Sequence, residues 1–196
     1  KFDTIYHEHV SSFTLHSLKN LLNKSKMKIH HAEKIPTQGG SIRVISKKKT
    51  NSLQWKKIYR SEQKKNVNKL STYKKTGKKI RDIILKIENN FKKLSKKNNI
   101  IFLGAPARGV VISNVCKFDN KKIDFAIDDS LTKHNKFFPG KKFKVYSWKK
   151  LQNYKNSNFV ILSWNYQKEI LKKIKNYRKK FNLMVPLPNP KITKYS

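Results

Sequence analysis

Tyr6-His7-Glu8-His9 puts a phenol, a carboxylate and two imidazoles on four consecutive residues. Such a set suits proton transfer beside a carbonyl: an imidazole titrates near neutrality, and a neighbouring carboxylate or phenol orients it or bonds to a developing oxyanion. The preceding Phe2-Asp-Thr-Ile-Tyr6 reads as the end of a buried strand. On extended backbone Tyr6 and Glu8 would face one side and His7 and His9 the other, and a strand end would aim these groups at one point. His7 also suits a packing or backbone-bonding role.

A second constellation lies downstream. The apolar run Ile100-Ile-Phe-Leu103 leads into Gly104-Ala-Pro-Ala-Arg-Gly109 and then a helical pattern. In an open parallel sheet this is where backbone amides and a helix N-terminus face an anion, with Gly104, Ala105, Pro106 and Gly109 shaping the loop and Arg108 adding a cation. The glycines equally suit tight strand-to-helix packing. The spacing is not GxGxxG, which disfavours a nicotinamide or flavin. Asp128-Asp129 follow the next apolar run about 20 residues on, where a carboxylate can accept ribose hydroxyls or cap a turn. Asn165, in Ser163-Trp-Asn-Tyr166, follows a later strand pattern and suits either a ligand contact or a helix cap.

The elements that must position these groups fall into two regimes. Phe13, Leu15, Leu18, Leu21 and Leu22 have helical spacing, with Ser11 or Ser12 as cap. Met27–Ile35 and Ser41–Ser46 read as an antiparallel pair turned by Pro36-Thr-Gln-Gly-Gly40. A helix and two strands bury too little to stand alone and resemble the close of a larger sheet. Residues 53–97 carry one or two amphipathic helices with a break near Thr76-Gly77. From Asn99, apolar runs at 100–103, 123–127, 143–145, 159–162 and 183–185 alternate with helices at 107–117 and 165–180 and a helical turn at 148–151. That alternation predicts an α/β fold with a Rossmann-like parallel sheet of about five strands.

Composition bounds the partners. The 196 residues carry a net charge of +36, yet five of the 47 basic residues are Arg and the rest Lys. Base readout and bidentate phosphate capture favour Arg, and the lysines are spread along the whole chain. The charge predicts weak, salt-sensitive polyanion binding without a specific nucleic-acid surface. The lone Cys116 can form no intramolecular disulfide or Cys-based zinc site and reads as a buried thiol. No apolar run reaches the ~18 residues of a membrane span, so the cytoplasm is the simplest compartment. The chain opens on lysine, and it reads as a portion of a longer protein.

Phe2-Asp-Thr-Ile-Tyr-His-Glu-His9, Pro36-Thr-Gln-Gly-Gly-Ser-Ile-Arg-Val44, Gly104-Ala-Pro-Ala-Arg-Gly109, Asp128-Asp129, Phe138-Pro-Gly140 and Leu162-Ser-Trp-Asn165 together resemble the sugar C-methyltransferases over nearly the whole chain. The resemblance implies an enzyme with a zinc module, a domain binding S-adenosylmethionine and a C-terminal Rossmann-like domain. This chain would supply the tail of the methyl-donor domain (1–52), a linker helix (53–76) and the nucleotide-sugar-binding domain (77–196). The substrate implied is a nucleotide-diphosphate 4-keto-6-deoxy sugar, methylated on the carbon beside the ketone. His9 matches the proposed general base, with Tyr6 and Glu8 assisting. The S-adenosylmethionine site and any zinc would lie outside this chain, which alone is expected to be inactive. Ser12 and Val110-Val111 depart from the pattern, where an aromatic and more polar residues are expected. The alternatives are a truncated, non-catalytic nucleotide-sugar-binding domain or, on charge alone, a basic nucleic-acid-binding protein.

Overall fold

The computed structural model describes residues 2–37 and 40–196. They divide into two compact units, Val10–Lys79 and a discontinuous one in which residues 2–9 join Ile80–Ser196. The turn residues Gln38 and Gly39 lie outside the described residues.

In the first unit, helix α1 (Leu15–Lys24) precedes strands β1 (Lys28–Ile35) and β2 (Ser41–Lys47), which pair antiparallel. The α1 cap is Thr14, not Ser11 or Ser12: its hydroxyl accepts from the Ser17 amide at 3.1 Å, and the Thr14 amide donates to Ser17 Oγ at 3.0 Å. This reciprocal arrangement satisfies two backbone donors. Helix α2 (Lys56–Lys64) adds Glu62, whose two carboxylate oxygens accept from the Leu15 and His16 amides, each at 2.9 Å. A carboxylate at a helix N-terminus is favoured by the dipole. Leu15, Ile29 and Ala32 are buried, with Leu22, Val44, Trp55, Ile58 and Tyr59 packed around them.

Helix α3 (Leu70–Leu94) runs unbroken through Thr76-Gly77. The predicted break falls earlier, at Asn66, whose φ of 51° ends α2. Asparagine adopts that left-handed conformation at modest cost, whereas one glycine inside a helix costs only about 1 kcal/mol and is tolerated.

The second unit is built on a six-stranded sheet: β3 (Ile100–Leu103), β4 (Ile123–Ile127), β5 (Val145–Tyr146), β6 (Asn158–Ile161), β7 (Phe181–Val185) and β8 (Lys191–Tyr195). Its order is β5-β4-β3-β6-β7-β8, parallel except for β8, which runs antiparallel to β7 at the edge. The α/β class and parallel core match expectation, and β8 is an addition. Its Lys-Ile-Thr-Lys-Tyr sequence is half exposed, the pattern of a charged edge rather than an apolar run. Near β5 the ladder engages Val145 and Tyr146, while Phe143 packs on Phe102 and Phe138. The residues of β3 are completely buried, as are the inner residues of β6, consistent with a sheet covered on both faces. Helices α4 (Ala107–Val115) and α5 (Gln167–Lys175) follow β3 and β6. No helix among the described residues is long and apolar enough to cross a membrane.

Candidate active site at the sheet switch point

The chain leaves β3 towards β4 on one side, whereas β6 lies on the other. The crevice at the carboxyl ends of β3 and β6 is therefore the switch point, where open α/β sheets gather ligands. Gly104–Gly109 and Leu162–Asn165 both lie there. They are in tight contact. The Leu162 amide donates to Leu103 O at 2.8 Å, and a Cβ on Gly104, whose φ is +91°, would stand 1.9 Å from Ser163 Oγ. A Cβ on Gly109 would stand 2.7 Å from Leu162 Cβ. Both glycines are thus required by packing between the two loops.

The loop is also braced from below. The Asp128 carboxylate accepts from the Ala105 amide at 2.7 Å, the Ser130 amide at 3.0 Å and Lys133 Nζ at 3.1 Å. Burial pushes its pKa up, but those amides and the Lys133 ammonium outweigh it and hold the pKa below the ordinary value. His134 Nε2 donates to the Asp128 carbonyl at 2.8 Å, the carbonyl being able only to accept. Asp129 is exposed and accepts from Trp148 Nε1 at 3.0 Å and Lys173 Nζ at 2.6 Å. Asn165 is exposed in a 3-10 turn, Trp164–Tyr166, and does not cap α5. Phe138 is buried, and Asn114 Nδ2 donates to the Pro139 carbonyl at 3.2 Å, so this turn is tied to α4.

Phe2–Thr4 form a 3-10 turn instead of a strand, and residues 6–8 turn again. The consequence is a different side-chain grouping. The His9 amide donates to Tyr6 O at 2.8 Å, and the Tyr6 and His9 rings lie 4.2 Å apart at 37°. These two rings share a side; Tyr6 is half-buried, and His7, Glu8 and His9 are exposed. His9 Nδ1 lies 2.7 Å from the Thr4 carbonyl. Since a carbonyl oxygen only accepts, Nδ1 carries a proton, and whenever the ring is neutral the lone pair is on Nε2.

Sequence reasoning missed Asp3, which is buried and paired with Arg108 through Nε, at 2.5 Å, and Nη2. Arg108 also lies over the Trp164 ring, 5.4 Å from its centroid. The available signal was scarcity: with only 11 acidic residues in the chain, an aspartate inside an apolar run implies a buried partner. The buried reading of Cys116 holds, at 2% exposure.

A family described as the C-methyltransferase C-terminal domain matches residues 36–188. C-methyltransferase NovU of Streptomyces niveus is 23% identical over 204 aligned positions, covering 98% of this chain and 47% of that protein. The chain thus spans about half the length of that relative. With more than three quarters of its residues inside the match, the chain belongs to the C-methyltransferase C-terminal domain family.

Proposed function

We propose that this chain is the C-terminal part of an S-adenosylmethionine-dependent C-methyltransferase that deprotonates a nucleotide-diphosphate 4-keto-6-deoxy sugar beside its ketone. The observation that carries the reading is the His9–Thr4 hydrogen bond. It leaves Nε2, on an exposed ring, as a ready proton acceptor. In the proposed step Nε2 takes the proton from the carbon next to the ketone, and the C–H electron pair moves into the carbonyl to give an enolate. Tyr6 donates to the enolate oxygen, and Glu8 offsets the charge of the imidazolium formed on His9. A positioned base of this kind contributes roughly 10²- to 10⁴-fold in rate. The sugar nucleotide lies over the carboxyl ends of β3 and β6, towards Ala107–Gly109 and Asn165.

The β3–α4 loop does not fit the methyl donor. Asp128, the residue in position to accept ribose hydroxyls, is committed to Ala105, Ser130 and Lys133, and Ser163 fills the space against Gly104. In the proposed reading the donor is held mostly by the part of the enzyme that precedes this chain, and the residues of the β3–α4 loop act on the sugar nucleotide alone. Among the described residues no cluster of His, Cys, Asp or Glu is arranged to hold a metal ion.

The test uses the complete enzyme in deuterium oxide with a nucleotide-linked 4-keto-6-deoxy sugar and without methyl donor. Deuterium should enter the carbon beside the ketone, and His9→Ala should stop that exchange while leaving sugar-nucleotide affinity within about threefold. Undiminished exchange in His9→Ala would remove His9 from the base role.

A further inference from the structure

We propose that Arg108 is a positioning residue whose anion is Asp3 of the same chain, and that this pair sets the tautomer and place of His9. The proposal rests on the reading of His9 as base for its catalytic meaning, though not for its geometry.

The Asp3 side chain is 4% exposed and that of Arg108 14%. Both bonded guanidinium nitrogens converge on a single carboxylate oxygen, Oδ2, and the remaining nitrogen, Nη1, is buried among the described residues with no hydrogen-bond partner. Such a pair is a poor stabiliser, since the desolvation of two charges offsets their attraction and an unpartnered donor adds to the cost. It is a specific locator. Arg108 stands in the first turn of α4, where a cation opposes the helix dipole and a carboxylate is favoured. Asp3 supplies that carboxylate, so the anion expected at this helix start comes from the chain and not from a ligand. Trp164 covers the guanidinium from the β6 side, which ties the pair to both lips of the switch point.

From Asp3 the path to His9 is short. The next residue, Thr4, offers its carbonyl to His9 Nδ1 at 2.7 Å and to the Tyr6 amide at 3.2 Å, and the Ile5 amide closes the turn on Phe2 O at 3.2 Å. Fixing the Asp3 side chain on α4 therefore fixes the carbonyl that holds His9 with its proton on Nδ1. Without it the ring is free to adopt the other tautomer, which puts the proton on the nitrogen that must accept one.

Histidine-¹⁵N-labelled chain, studied by long-range nitrogen–proton correlation at about pH 8, above the ordinary imidazole range, reads this directly, with His9→Gln identifying the His9 signals. The expected native pattern is protonated Nδ1. Asp3→Asn and Arg108→Ala should each shift His9 towards protonated Nε2, and the double variant should go no further than either. Arg108→Lys, which keeps the cation and most of the volume, should give an intermediate population and carries the test if the other variants do not fold. In the complete enzyme Asp3→Asn should slow deuterium exchange by roughly 10- to 100-fold, as expected of a misplaced group, with half-saturation changed less than about threefold. A folded Asp3→Asn or Arg108→Lys chain that keeps the native His9 pattern would overturn the proposal. So would a variant whose only defect is sugar-nucleotide affinity. If His9 responds as expected while native enzyme shows no His9-dependent exchange, the clasp stands and the assignment of His9 as base falls.

Discussion

Replacing Gly104 with alanine should destabilise the switch point, and the size of the effect follows from two separable costs. With φ at +91°, an L-residue there is strained by about 1–3 kcal/mol. The added Cβ would also stand 1.9 Å from Ser163 Oγ, 2.8 Å from Ser163 Cβ and 3.2 Å from Ser163 N. The hydroxyl can rotate away, but Cβ and the backbone cannot, and overpacking of this kind costs about 1–3 kcal/mol. Alanine's lower entropy in the unfolded chain returns about 0.4–1 kcal/mol. The net loss falls at about 1–5.5 kcal/mol, a large share of the 5–15 kcal/mol typical of a domain. Ser163→Gly in the same chain removes the side-chain overlap and leaves the backbone strain, so the double variant should be about 1–2 kcal/mol more stable than additivity predicts. Urea unfolding followed by tryptophan fluorescence measures this; a Trp55→Phe background leaves Trp148 and Trp164, both in the Ile80–Ser196 unit, as reporters. Gly104→Ala within about 0.5 kcal/mol of the parent, the usual range of an inconsequential substitution, would refute the reasoning. Strict additivity with Ser163→Gly would refute the crowding half of it.

Asp128→Asn should lower stability at neutral pH by about 1.5–3 kcal/mol, the range for charge-assisted hydrogen bonds. Because the folded-state pKa of Asp128 lies below its ordinary value, its contribution is complete above the unfolded pKa of about 4 and is lost as pH falls through the folded one. The gap between parent and variant should therefore close towards acid, and a gap unchanged with pH in denaturant titrations would contradict that. Cys116 should resist disulfide-exchange reagents in the folded chain and react on unfolding. Burial, assisted by Glu88, pushes its thiol up to about 12, which cuts the thiolate fraction by roughly 10³ against an ordinary cysteine. Rapid labelling of folded protein would show the thiol to be accessible.

The parallel core was legible because apolar runs such as Ile100–Leu103 are buried on both faces and carry no competing pattern. Gly104–Gly109 was legible as a strand-to-helix turn, but the sequence left open whether its glycines served a ligand or packing. Only the proximity of Ser163 and Leu162 separates these, and a contact between residues almost 60 positions apart leaves no local trace. Phe2–Tyr6 was misread as a strand because a short apolar–polar alternation also fits a 3-10 turn with Asp3 turned inward. That one difference regroups the site, bringing Tyr6 onto His9 in place of Glu8. Asn66 carried the helix break, and asparagine just past a helix end was the signal outweighed by Gly77.

The Asp3–Arg108 pair joins residues 105 positions apart, and this sets an order on how the chain matures. Closing a loop of that length costs about 4 kcal/mol of chain entropy, less to the extent that Val10–Lys79 has already condensed as its own unit. During synthesis at about 5–20 residues per second, Asp3 emerges roughly 5–20 s before Arg108. The segment carrying His9 must wait undocked through that interval, and it gains its place only when the later sheet has begun to form beneath it. The first part of this chain to be made is thus among the last to be finished, and its proton-handling groups are assembled only after most of the chain that holds them exists.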